Sequence, residues 1–271
     1  MTNTFLLVVR AGDHSLHPGW LEGGARSWDL HISYFGDADA PFGDLPAGVT
    51  LSREKGPKFI GLGECLDKHP DFLSRYSHIG FPDDDLACDS ATWNTAFAVL
   101  DEIGADLGQP ALDKRSFFSY DMMLRRDWLR WREVDFVELM CPIFTVGFLR
   151  EILPTWRLNR SSWGLDYLWR ELARRQNRLL AIVDASSVLH TRAIGKGAQY
   201  SAANMKGGSR YDDYADVMKA HNITDRSRRV LRGIRNNGSP ATSSFFLNRT
   251  LVVAGLRRKW RNAMNVETIS R

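Results

Sequence analysis

The stretch HIGFPDDDLACDS, residues 78–90, decides how this chain is read. HIGFP has the length and apolar character of a short buried strand, and it runs directly into three consecutive aspartates, Asp83, Asp84 and Asp85. Adjacent carboxylates repel one another strongly unless a cation or hydrogen-bond donors neutralise them. A divalent metal is the economical answer. With the spacing Asp83-x-Asp85, two side chains converge on one Mg2+ or Mn2+, ions that prefer oxygen ligands and keep positions open for phosphates. Asp84 then points elsewhere, toward a ribose hydroxyl. The competing reading is an acidic turn that favours the N-terminus of the next helix, and the position at a strand end weighs against it.

Working outward, Asp89 or Ser90 can cap a helix whose Trp93, Phe97, Leu100 and Ile103 recur on one face. Upstream, FLLVV (residues 5–9) is a continuous apolar run, as in a strand buried on both faces. LHPGWL (16–21) predicts a short helix, residues 28–34 alternate as a second strand, and GVTLSRE (48–54) predicts a third. A helix carrying Phe59, Leu62 and Leu66 ends before Pro70. Downstream, VDFVEL (134–139) is expected to be a strand, a helix around 146–152 stops before Pro154, Ser162 is expected to cap a helix through WGLDYLWRELARR, and LLAIVDA (179–185) forms the last strand. Strands alternating with helices give an α/β sheet, largely parallel, whose ligands bind at the carboxyl ends of strands.

On that edge His190, in the loop expected after the last strand, can complete a metal shell as a neutral imidazole. Asp166, in the first turn of its helix, can take a proton from a hydroxyl; the bland alternative is a partner for the helix dipole. Trp163 and Gly164 before it offer an apolar platform and a close backbone approach, or plain core packing. Arg10 and Asp13, at the end of the first strand, are placed for nucleotide contacts, and Lys58 and Lys196 for phosphate. Lys196, Lys206 and Arg210 lie among glycines, and the loop from Gly195 to Tyr211 is expected to be mobile and to close on a diphosphate. No Walker A loop, dinucleotide fingerprint or Gly-x-Ser-x-Gly elbow occurs, which disfavours those enzyme classes.

The order HIGFPDDDL, GQPALD, DFVELMCPIF, SSWGLDYLW and IVDASSVLH resembles the family called domain of unknown function 707, assigned to the glycosyltransferase A superfamily. The resemblance covers roughly residues 58–195. It implies a glycosyltransferase A-like, mostly parallel nucleotide-binding sheet flanked by helices. It implies further that Asp83 and Asp85 form the Asp-x-Asp metal motif, that Asp166 is the base of an inverting transferase, and that His190 is the C-terminal metal ligand. The activity implied is transfer of a sugar from a nucleotide-sugar donor to a glycan, lipid-linked or small-molecule acceptor, with Mn2+ or Mg2+ as cofactor. A nucleotidyltransferase, or an inactive binding protein of the same fold, is the alternative. Residues 1–195 are expected to form the catalytic domain, and 196–271 a mobile loop and a basic helical extension.

The composition, 44% apolar and 25% charged, is that of an ordinary globular protein. No run has membrane-spanning length, and FLLVV is too short for a signal peptide. Cys65, Cys88 and Cys141, odd in number and widely spaced, make neither a disulfide framework nor a zinc pattern, so a cytoplasmic compartment is expected. The net charge of +4 hides an asymmetry: residues 201–271 hold 14 Lys and Arg against 5 Asp and Glu, so the rest is acidic. With Leu251 to Trp260 apolar and basic by turns, this segment is expected either to touch anionic lipid peripherally or to pack as a terminal helix. No nucleic-acid module is present, so no nucleic-acid partner is expected.

Overall fold

The computed structural model describes residues 3–194 and 208–241. β1 (Phe5–Ala11) is buried along almost its whole length and lies parallel to β2 (Trp28–Tyr34) and to β4 (His78–Gly80), with β3 (Val49–Arg53) parallel outside β2. Burial on both faces explains why β1 reads as an unbroken apolar run. Across the molecule, β6 (Leu107–Leu112) and β9 (Leu180–His190) are parallel to each other, and β8 (Ile143–Thr145) lies antiparallel between β4 and β6. β7 (Leu129–Val134), β10 (Val230–Arg235) and β11 (Pro240–Ala241) complete one edge in antiparallel pairing, giving the order β11-β10-β7-β9-β6-β8-β4-β1-β2-β3. β5 (Leu86–Ala87) pairs with the last turn of β9, setting Leu86 opposite His190.

Helices cover both faces. α1 (His17–Trp20) is a single turn, and α3 (Phe72–Arg75) another, on the way into β4. α2 (Lys58–Lys68) turns Phe59, Leu62, Cys65 and Leu66 inward, where Phe59 meets the edges of Trp156 and Trp169. α4 (Ser90–Ile103) is capped by Asp89, which accepts the Thr92 N–H at 2.9 Å, and it ends on Gly104 at φ 65. It comes so close to the sheet that a Cβ on Gly108 would lie 2.2 Å from Leu100 and 2.9 Å from the Ala181 carbonyl oxygen. α5 (Val146–Ile152) gives way to a 3-10 turn (Leu153–Arg157) at Pro154, which has no N–H to continue the helical ladder. α6 (Leu165–Arg175) packs Leu165, Leu168 and Trp169 inward, and α7 (Arg210–Ala220) lies against it. No helix among the described residues is long and apolar enough to cross a membrane.

Three local expectations are corrected. Of VDFVEL only Val134 belongs to a strand, β7; residues 135–142 lie outside any strand, Asp135 bonding Arg229 through both its N–H and its side chain. Ser162 does not cap α6: it stands at φ 67, and Gly164, at φ 92, holds the N-cap position. His190 is the final residue of β9, held there by β5, rather than part of a following loop. β6 itself was hidden by Pro110, which sits where the β6–β9 register shifts and no ladder N–H is needed.

Candidate active site

A parallel bridge between Arg10 and Asp83 prolongs the β1–β4 pairing past the end of β4, so the acidic triplet leaves the sheet at its carboxyl edge. Three different segments then fix the three aspartates. The Asp83 N–H donates to the Met140 carbonyl (2.8 Å), and its carboxylate pairs with Lys58 (2.6 Å). Asp84 accepts the Gly12 N–H (2.9 Å) and pairs with Arg192 (3.1 Å), whose other nitrogen donates to the His14 carbonyl. The Asp85 carbonyl accepts from the Thr191 N–H and hydroxyl, while its Oδ2 faces His190 Nε2 at 3.2 Å. Each carboxylate therefore has its own basic neighbour, which answers the repulsion between them.

Burial opposes charge on His190, yet the hydrogen bond and charge of Asp85 outweigh it and raise the imidazole to about 9. The other ring nitrogen, Nδ1, lies 2.7 Å from the Phe117 carbonyl. A donor at Nδ1 leaves Nε2 as the coordinating nitrogen of the neutral ring. Burial also lifts Asp83 and Asp84 above the ordinary carboxylate range, against the pull of Lys58 on the first and of the Gly12 N–H and Arg192 on the second. Asp85 Oδ1 is buried without a hydrogen-bond partner. That orphan oxygen, beside an imidazole aimed at its twin, is a donor set suited to a hard or borderline divalent ion. Among the described residues no three His, Cys, Asp or Glu side chains are already gathered as a metal cluster.

Asp166 is buried in the first turn of α6, with Oδ1 accepting the Tyr167 N–H at 3.0 Å. Burial raises its carboxyl to about 7, with the Tyr167 N–H and the Arg228 charge pulling the other way. Around it stands an aromatic wall: Phe136 touches Tyr120 and Tyr167 (ring centroids 5.1 and 5.0 Å), and the Arg228 guanidinium lies 4.2 Å over Tyr120. Trp163 is half-buried beneath the Arg210 guanidinium and edge-on to Tyr211, while Gly164 lets the backbone meet Val217 of α7, where a Cβ would approach to 3.1 Å.

The remaining expected contacts lie at or near this edge with their own partners. Arg10 turns its buried guanidinium toward β2 and β3, donating to Ser33, Glu54 and Gly56 and resting against Gly61. Asp13 is exposed and accepts from the Tyr34 hydroxyl. Lys58 spends its ammonium on Asp83 and on the carbonyls of Leu139 and Met140. Lys196, Lys206 and most of the Gly195 to Tyr211 loop lie outside the described residues, as does the basic segment around Trp260.

Sequence reading missed Glu138. It is 3% exposed, its Oε1 has no partner, and burial lifts it to about 8, with His190 opposing and Asp166 and Asp83 adding to the rise. Its signal was a lone carboxylate inside the apolar run FVELMC. Arg192 and Gln109 were missed as well; nothing in their sequence surroundings marks them.

No protein-family model and no curated protein matches the chain. Solved structures do. The structure of GalNAc-T7 with UDP, GalNAc and Mn2+ superposes with a TM-score of 0.59 at 11% identity, over 80% of this chain and 48% of that one. The structure of S. aureus TarS 1–349 with UDP-GlcNAc gives 0.52 at 13% identity, over 80% of this chain and 65% of that one. The chain thus spans about half and about two thirds of those two lengths. Its fold is the glycosyltransferase A type: a large central sheet flanked by helices, shared with these two structures.

Proposed function

We propose that the chain is a metal-dependent glycosyltransferase that moves a sugar from a nucleotide-sugar donor to an acceptor hydroxyl with inversion. One observation carries the reading: at the carboxyl edge of an A-type sheet, Asp85 faces His190 at 3.2 Å, and the buried Glu138 is within electrostatic reach of His190, Asp83 and the buried Asp166 alike. Asp83, Asp85 and His190 would hold Mn2+ or Mg2+, which when bound supplies charge stabilisation to the departing diphosphate. His190 is held for that task by the Phe117 carbonyl, and Asp84, fastened by Gly12 and Arg192, presents the loop after β1 to the nucleotide. Arg10 and Lys58 support this edge from behind, and Asp13 stands at its mouth.

Asp166 removes the acceptor proton. The acceptor oxygen bonds to the anomeric carbon from the face opposite the diphosphate, the carbon–oxygen bond to the diphosphate breaks, and a nucleoside diphosphate leaves. A base of pKa about 7 is matched to neutral pH: strong enough to take the proton, weak enough to be ionised. Turnover should accordingly rise as pH passes through about 7. Trp163 and the aromatic wall offer ring faces to a glycan, lipid-linked or small-molecule acceptor. Thermal unfolding with UDP, GDP and their sugar conjugates, each with and without Mn2+, tests the reading, because a ligand bound to the native state stabilises it. Protection that needs nucleotide and metal together is expected; absence of protection by every combination overturns it.

A further inference from the structure

The segment 135–142, outside any strand, keeps a strand's register at its far end. β4 and β8 pair antiparallel with His78 opposite Thr145 and Gly80 opposite Ile143, and the same register continues beyond both strands. The Phe81 N–H donates to the Pro142 carbonyl and the Asp83 N–H to the Met140 carbonyl, both at 2.8 Å. Glu138 lies two residues before Met140, the last residue held by that register. Lys58 locks the arrangement by donating to the carbonyls of Leu139 and Met140 while it pairs with Asp83. A cation buried under the acidic edge thus fixes where Glu138 sits.

Glu138 is within electrostatic reach of His190 of β9, Asp83 of the triplet, Asp166 of α6 and Gln109 of β6. Gln109 is fully buried, with its amide nitrogen 3.4 Å from the Pro110 carbonyl, and its Oε1, like Glu138 Oε1, has no partner. A buried polar oxygen without a partner is costly unless a ligand supplies a donor. A sugar ring carries adjacent hydroxyls, which are such donors. In the transfer proposed above, the anomeric carbon must sit between the diphosphate at the triplet and the acceptor hydroxyl at Asp166. Glu138 is within electrostatic reach of both points.

We infer that Glu138, braced by Gln109, binds hydroxyl groups of the sugar being transferred and so sets which donor sugar the protein accepts. The inference rests on the transferase reading of the same site. Hydroxyl recognition by a buried acceptor discriminates more sharply than apolar packing, because a sugar lacking the hydroxyl leaves the acceptor unpaired.

The test compares nucleoside diphosphate with its sugar conjugate by calorimetry in the presence of Mn2+. The probes are UDP and GDP against UDP-GlcNAc, UDP-glucose, UDP-galactose and GDP-mannose, and then deoxy analogues of the conjugate that binds best. For Glu138→Gln, affinity for the bare nucleotide should stay within about twofold, while the sugar conjugate weakens by about 3- to 10-fold, the range expected for losing a neutral hydrogen bond. In the wild type, removal of one ring hydroxyl should cost a similar factor, and the variant should be nearly indifferent to that same removal. Equal weakening of nucleotide and conjugate, or no effect on either, overturns the inference while leaving the transferase reading standing. Should Glu138→Gln not fold, the wild-type deoxy series and Glu138→Asp decide: indifference to every hydroxyl overturns the proposal. A wild type that binds no nucleotide with metal removes the site reading itself, and the inference with it.

Discussion

In Asp166→Asn one buried carboxyl oxygen becomes an amide nitrogen, while the other can keep the Tyr167 N–H at 3.0 Å. Shape and local hydrogen bonding are preserved; the charge and the basicity are lost. The wild-type carboxyl stands at about 7 in the folded chain, against 3.8 for the free side chain. Below about pH 4 both folded and unfolded states carry the proton, and the substitution changes little. Between 3.8 and about 7 the folded carboxyl keeps its proton while the unfolded one ionises. The folded state then binds more protons, so wild-type stability falls as pH rises through this window. Above about 7 the full burial cost of the charge is felt. At about 1.4 kcal/mol per pH unit, the interval sets a ceiling of about 4 kcal/mol. Relaxation around the charge lowers it, so a gain of about 1–3 kcal/mol for the variant is expected at pH 8.5 and almost none at pH 4.5. Urea denaturation of both proteins at the two pH values measures it, alongside a transfer assay at pH 7.5. A variant that is more stable at high pH and inactive has the signature of a residue kept for chemistry at the expense of stability. Equal stability at both pH values, or retained transfer, refutes the reasoning.

Asp85→Asn removes the charge opposite His190, and calorimetric affinity for UDP with Mn2+ should fall at least about tenfold; unchanged affinity would remove Asp85 from the metal site. Gly108→Ala forces a methyl toward Leu100 and the Ala181 carbonyl, at 2.2 and 2.9 Å. It should cost about 1–3 kcal/mol by urea denaturation, and a wild-type midpoint would show that α4 yields more than the packing implies. For the basic C-terminal segment, sedimentation with anionic vesicles at low salt, reversed at high salt, is expected if it meets lipid headgroups; equal recovery in the supernatant with anionic and neutral vesicles contradicts that contact.

Legibility followed locality. β1 and the α4 cap could be read because each depends on neighbours in sequence: an apolar run in one, an aspartate ahead of a periodic helix in the other. β6 could not, since Pro110 is a local veto on strands and only the register shift against β9 makes it tolerable. The candidate site divides the same way. A triplet of aspartates announces itself, and so does a lone histidine near a strand's end. Glu138 is meaningful only because the β4–β8 register holds Met140, two residues after it, against Asp83, a fact of pairing over more than fifty residues of separation. Lys58 shows the converse: it was placed near the phosphate edge by sequence, yet its partners, Asp83 and two carbonyls 81 and 82 residues away, could be known only from the folded chain.

The central claim is sugar transfer from a nucleotide sugar at the Asp83, Asp85 and His190 edge. Identification of the nucleotide product tests it most directly: the purified protein is incubated with each nucleotide sugar, with Mn2+ or with chelator, and the products are resolved by anion-exchange chromatography. Free nucleoside diphosphate, formed only with metal and lost in Asp166→Asn, is the expected product. Pyrophosphate as the product, or nucleoside diphosphate formed equally with chelator, would contradict it.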